Sequence, residues 1–184
     1  RSFFKKGKAS LDHKSPTTVE IDELSPLQQS FVMNMVQIEK RKMKDIMVPW
    51  DEVNSVAYTA TITDVTQAVL RSGHTRLPVS SNGEVVGVLH TKEFVSLKES
   101  GETNWQSIIR PVLRVLPTDS ALGTLRLMQE KRSHMTIVFS PQGDRLGIVT
   151  LEDILEEIVG DIYDEDDDGK VRKVFARRIK ARLL

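Results

Sequence analysis

The chain has 184 residues, 39% of them hydrophobic, which is enough for one ordinary domain or two small ones packed together. Lysine plus arginine and aspartate plus glutamate both number 26, so the zero net charge argues against a general nucleic-acid binder while leaving room for opposed local patches. The absence of cysteine excludes disulfides, thiolate metal sites and thiol nucleophiles.

Residues 1–23 are polar, lack a sustained period and are broken by Pro16, and they read as a flexible lead-in. The first of them, Arg1-Ser2-Phe3-Phe4-Lys5-Lys6-Gly7-Lys8, have no initiator methionine and suggest a fragment or processed product. Aromatics followed by lysines are also what a polypeptide shows on leaving a membrane on its cytoplasmic side. No apolar run in the chain reaches the roughly 20 residues that span a bilayer, so the fragment itself is expected to be soluble. Next, Ser25-Pro26-Leu27-Gln28 carries a capping-box signature with proline at the first helical position, predicting a helix within 24–42. Leu27, Phe31, Val32, Met35 and Ile38 recur at helical spacing and are expected to dock it on the body of the protein.

Asp45-Ile46-Met47-Val48-Pro49 reads as an extended piece ended by proline, and Val53 to Tyr58 alternates like a strand. Thr63 or Asp64 is expected to cap a helix that Gly73 ends. Leu77-Pro78-Val79 and Val85-Val86-Gly87-Val88-Leu89 flank Asn82-Gly83, a tight-hairpin signal, and a short helix through Glu93, Phe94 and Leu97 closes the unit. The order strand, helix, strand, strand, helix then recurs. Its second members are Val112 to Val115, a helix from about Asp119 to Lys131, Met135 to Phe139, Leu146 to Val149, and a helix from Leu151 to Val159 ended by Gly160. The first copy covers 43–99 and the second 107–160. Each is too small to bury enough surface alone, so the two are expected to pack together through their sheets.

The second copy ends in Gly147-Ile148-Val149-Thr150-Leu151-Glu152-Asp153-Ile154, with a hydroxyl and a carboxylate three residues apart where a strand hands over to a helix. Two readings stand side by side. Thr150 caps the helix and Asp153 is a favourable first-turn charge, or the two groups hold the ribose of a nucleotide whose phosphates meet the helix start.

The repeat resembles the paired CBS domain, or Bateman module. Lys44-Asp45-Ile46-Met47-Val48-Pro49, Ser72-Gly73-His74-Thr75-Arg76-Leu77-Pro78-Val79 and Gly147 to Asp161 together look like its CorC/HlyC branch, relatives of cyclin M-type magnesium transporters. The resemblance implies an α+β fold in which two βαββα units pack through their sheets with pseudo-twofold symmetry, preceded by one helix. It implies a regulatory module, not an enzyme, on the cytoplasmic face of the membrane and attached to the transmembrane domain of a magnesium/cobalt transporter. It further implies a homodimer through the CBS helices and an adenine nucleotide as ligand: ATP, or AMP or ADP, with Mg2+ held through the phosphates. By resemblance, Thr150 and Asp153 would hold the ribose, while Val48, His74, Thr75, Leu77 and Pro78 would surround the adenine. His74 stands where relatives often carry Tyr. Arg76, inside the matched motif, is a better candidate for the phosphates than Arg132.

In the first copy His90 and Glu93 replace the hydroxyl and the Asp, so one nucleotide per chain is expected. The tail 161–184 is a charge dipole, acidic from Asp161 to Asp168 and basic from Lys170 onward. Its acids do not follow EF-hand spacing and read as a solvated linker, and Val174, Phe175, Ile179 and Leu183 would form one face of a basic amphipathic helix. No phosphate loop or catalytic triad is legible, and His13, His74, His90 and His134 are scattered. Two alternatives to the regulatory reading are a ligand-independent dimerisation scaffold and a stand-alone AMP/ATP energy sensor.

Overall fold

The computed structural model describes residues 21–160; most of the lead-in and the whole charged tail, with its acidic run and its expected basic helix, lie outside the described residues. Helix α1 (Pro26–Ile38) starts at a capping box, in which the Gln28 amide donates to Ser25 Oγ and the Ser25 amide to Gln28 Oε1 at 2.8 Å. The expected docking face is only partly used. Ile38 is buried and Phe31 half-buried, but Leu27, Val32 and Met35 are exposed. The helix is held mainly towards its C-terminal end, against α6 (Leu151–Val159), where an Arg41–Glu157 ion pair at 3.1 Å follows it.

The extended reading of 45–49 is corrected. Met43–Ile46 forms a single turn, α2, with Asp45 accepting from the Lys42 amide and Met43 fully buried, and only Val48–Pro49 is strand, β1. A turn of 3-10 helix at Trp50–Glu52 takes the chain away from β1, which shortens the expected strand at 53–58 to Val56–Ala57, β2. Helix α3 (Ile62–Ser72) is capped by Thr61, not by Thr63 or Asp64. Asp64 sits at the third helical position and completes a capping box, while Gly73 ends the helix with φ +64°.

The first copy continues through β3 (Arg76–Ser81), β4 (Glu84–His90) and α4 (Thr91–Glu99). The second comprises β5 (Leu113–Val115), α5 (Ala121–Lys131), β6 (Met135–Phe139), β7 (Arg145–Thr150) and α6. In both copies the first strand pairs parallel with the second, the second antiparallel with the third, and the register slips once, after Val79 and after Val138. The turn at Asn82-Gly83, with both φ positive, makes the hairpin the dipeptide signals.

The copies are joined by exchange. β1, at the start of the first copy, adds to the second copy's sheet in the order β1-β7-β6-β5, with Val48 opposite Ile148 and Pro49 opposite Gly147. The segment that opens the second copy does the reverse, and Arg110 bridges Val88 of β4 through two backbone hydrogen bonds of 2.9 and 3.0 Å. Glycine is required at both crossings by close approach. A Cβ on Gly87 would lie 2.5 Å from the Arg110 carbonyl oxygen and from Ile109 Cγ2, and one on Gly147 would collide with the Val48 carbonyl.

Each copy has its own core. Val65, Leu77, Val79, Leu89, Phe94 and Trp105 fill the first, and Met43, Val115, Met128, Val138, Val149 and Ile154 the second. A third cluster, Val85, Ile137 and Phe139 with Trp50, Val112 and Ile148 packed against it, combines residues of both copies. Arg145 lies over the Trp50 ring, 4.8 Å from its centroid, and donates to the Gly83 carbonyl, tying the two hairpins.

Candidate functional site

Strand β7 delivers Thr150 to the start of α6, where the two side chains are locked together. Asp153 Oδ2 accepts from the Thr150 amide and from Thr150 Oγ1, both at 2.7 Å, and Thr150 Oγ1 accepts from the Asp153 amide at 3.2 Å. This is a full capping box. The same box occurs at Thr61 and Asp64, so capping alone does not mark a site. Surroundings separate them: Asp64 is exposed, whereas Asp153 is buried, 5% exposed, and lines a cavity.

That cavity has a volume of about 540 Å³, within the roughly 300–1,000 Å³ range of small-molecule sites. Both copies wall it. From the first copy come His74, Thr75, Arg76 and Pro78; from β1 comes Val48; from the second copy come Thr150 and Asp153. Of the residues the sequence points to for the ribose and the adenine, Leu77 does not line the cavity. Its side chain, 1% exposed, turns into the first copy's core, as strand alternation between Arg76 and Pro78 dictates. Arg132 is not in the lining either, and ends α5 in a left-handed conformation with φ +52°.

The lining divides by chemistry. Val48, Val53, Pro78, Met135 and Ile148 give an apolar surface suited to the faces of a flat ring. His74 stands exposed beside it, its Nε2 3.4 Å from Asn54 Nδ2. Polar residues line the rest, and four carboxylates, Glu52, Glu152, Asp153 and Glu156, outnumber the single guanidinium of Arg76. Two of them, Glu152 and Asp153, occupy the first turn of α6, so the helix start already carries negative charge.

Sequence reasoning gave no site role to Glu52, Val53, Asn54, Ser72, Gly73, His134, Met135, Ile148, Glu152 or Glu156. The repeat held the signal for two of them. His134 and Met135 are the second copy's counterparts of Thr75 and Arg76, and the Thr75 and His134 carbonyls accept from the Thr91 and Leu151 amides in the same way, each at 3.0 Å. A cleft lying near the pseudo-twofold is lined by both members of such a pair.

The first copy's counterpart of Thr150 and Asp153 is built differently. His90 makes no side-chain cap at the start of α4, and Arg110 forks onto Glu93, with Nε to Oε2 at 3.0 Å and a terminal nitrogen to Oε1 at 2.7 Å. The His90 pKa is lowered, first by burial and then by the charge of Arg76. A second cavity of about 260 Å³ lies between α1 and α6, bordered by Asn34, Gln37, Arg41 and Glu157. Among the described residues, no group of three or more His, Asp or Glu is placed to hold a metal ion, and no helix is long and apolar enough to cross a membrane.

Comparison with known proteins gives this geometry its setting. The CBS domain family matches residues 43–99 and 106–160. The UPF0053 protein YhdT of Bacillus subtilis is 33% identical over 156 residues, covering 80% of this chain and 34% of that protein. The magnesium and cobalt efflux protein CorC of Buchnera aphidicola is 34% identical over 150 residues, covering 79% of this chain and 51% of that protein. The chain thus spans from about a third to a little over half of the length of these relatives. Among solved structures, the CBS domain of the bacterial CNNM/CorC family Mg2+ transporter in complex with ATP superposes with a TM-score of 0.68 at 29% identity, covering 74% of this chain and all of that one. A CBS-domain pair with bound AMP from Klebsiella pneumoniae superposes at 0.59 with 25% identity, covering 65% of this chain and 98% of that one.

Proposed function

The chain belongs to the CBS-domain family as a tandem pair, and on that premise we propose that it is the regulatory module of a divalent-cation transporter and binds one adenine nucleotide between its two copies. The observation that carries this reading is the cavity itself, in which Thr150 and Asp153 from one copy face His74, Thr75 and Pro78 from the other across an apolar surface. The adenine packs between Val48, Pro78, Ile148 and His74. The ribose diol bonds to the Asp153 carboxylate, with the Thr150 hydroxyl beside it, and the phosphates run towards Arg76 and the start of α6. Relatives that are magnesium and cobalt efflux proteins, and a similar CBS domain solved with ATP, support ATP as ligand and magnesium or cobalt as the transported ion. The module would then sit on the cytoplasmic side, joined to a membrane domain.

The charge of the lining makes a further demand. Three or more negative charges of a triphosphate would meet four carboxylates and one guanidinium, so Mg2+ on the phosphates is needed to offset the repulsion. One unneutralised pair of like charges about 8 Å apart costs about 1–2 kcal/mol at an effective dielectric of about 20–40, or about 5- to 30-fold in affinity. Isothermal titration with ATP, ADP and AMP, each with Mg2+ and with a chelator, tests the proposal. Expected is one nucleotide per chain, with the affinity for ATP falling at least 5-fold on chelation and that for AMP changing little.

A second reading is favoured by Leu70, Val95 and Leu155, exposed apolar residues on α3, α4 and α6. Such helix faces suit a homodimer, and the chain would then serve as a scaffold. If nucleotides give neither heat nor a rise in melting temperature while the chain is dimeric, the scaffold reading replaces the sensor, because any ligand of the native state raises stability by mass action.

A further inference from the structure

The residues of the nucleotide cleft have counterparts related to them by the exchange of the two copies, and among these counterparts is the Arg110–Glu93 ion pair. Arg110 lies opposite Val88 in β4 as Val48 lies opposite Ile148 in β7, each crossing beside a glycine that leaves room for its backbone. In the open cleft Val48 contributes a short apolar side chain. In the counterpart the same place carries a guanidinium, and its fork engages both oxygens of Glu93, the carboxylate that matches Asp153. Two more positions differ in the same sense. Arg132, the left-handed residue that ends α5, matches Gly73, the left-handed residue that ends α3 and lines the open cleft. His90 matches Thr150, and its buried Nδ1 has no hydrogen-bond partner among the described residues.

We propose that Arg110 is the built-in occupant of this second cleft, taking the carboxylate a ribose diol would need and so restricting the chain to one nucleotide. The inference rests on the reading that the Asp153 cleft holds an adenine nucleotide. The Arg110 side chain is 68% accessible, so the pair stands at the surface, where a ligand reaching for Glu93 would have to displace it.

Two variants, compared by isothermal titration with ATP and Mg2+, test it. The first, His90→Thr/Glu93→Asp/Arg132→Gly, gives the second cleft residues of the open one but keeps Arg110; the other adds Arg110→Val. Each replacement is the residue at the matching place in the other cleft, the Thr and Asp restore a capping box, and glycine suits the left-handed position. Adding Arg110→Val is expected to raise the number of nucleotides bound per chain by one. An unchanged number, or a second nucleotide already bound with Arg110 in place, overturns the inference. Because the readout is the difference between the variants, a change from zero to one sustains the role of Arg110 while refuting the Asp153 site, whereas one in both refutes Arg110 alone. If either variant does not melt cooperatively, the pair is made again without Arg132→Gly and judged by the same outcomes.

Discussion

Asp153→Ala is expected to weaken ATP binding by about 10- to 150-fold, corresponding to the roughly 1.5–3 kcal/mol of a hydrogen bond to a charged group. It also removes the reciprocal half of the capping box, the acceptor of the Thr150 amide and hydroxyl, which costs about 1 kcal/mol and about 2–4 °C of melting temperature in a domain of this size. Asp64→Ala is the matched control. Asp64 makes the same hydrogen bonds to Thr61 that Asp153 makes to Thr150, 2.7 Å to the hydroxyl in both, but stands exposed and outside the cavity. It is expected to lower the melting temperature by a similar amount and leave affinity intact. Titration calorimetry and thermal melts of both variants separate capping from binding. Equal affinities in the wild type and Asp153→Ala would reduce Thr150 and Asp153 to a cap.

Gly147→Ala is expected to cost about 1–3 kcal/mol, the usual penalty for overpacking, and to lower nucleotide affinity as well. Gly147 has an ordinary φ, so the reason is space: its Cβ would collide with the Val48 carbonyl, and Met47 Cγ lies 3.3 Å away. Relieving the collision moves β1, and β1 carries Val48 into the cavity. Gly87→Ala meets an equally close backbone, the Arg110 carbonyl, but displaces the segment over β4 and not β1. It is expected to destabilise by a similar amount while sparing affinity. Denaturant unfolding gives the stabilities and calorimetry the affinities; a Gly147→Ala protein as stable as the wild type would show that the β1 crossing is not held as described.

The internal repeat made much of the fold legible, since its order of strand, helix, strand, strand, helix recurs and the hairpin at Asn82-Gly83 and the helix stops at Gly73 and Gly160 are local signals. What it did not reveal is non-local. Val48-Pro49 becomes a strand only because β7 lies beside it, and Val53 to Tyr58 loses most of its expected strand because the Trp50–Glu52 turn redirects the chain. The cap of α3 lies two or three residues before the expected Thr63 or Asp64 because Thr61, Thr63 and Asp64 all satisfy the composition, and only the position of Asp64 as partner selects Thr61. In the site, Val48, His74, Thr75, Arg76, Pro78, Thr150 and Asp153 were readable inside the three motifs, whereas Asn54 and His134 lie outside every motif and are brought there by packing. The Glu93–Arg110 pair joins residues whose proximity follows from the crossing at Val88, which no local pattern encodes.

The central claim is that one nucleotide is held by both copies at once. Amide chemical shifts of the isotopically labelled chain, followed during titration with ATP and Mg2+, test it most directly. The account predicts saturable shifts that titrate together at Gly73 to Arg76 in the first copy and at Thr150 to Asp153 in the second, with the start of α4 unaffected. Shifts confined to one wall, or centred on His90 to Glu93, would contradict it.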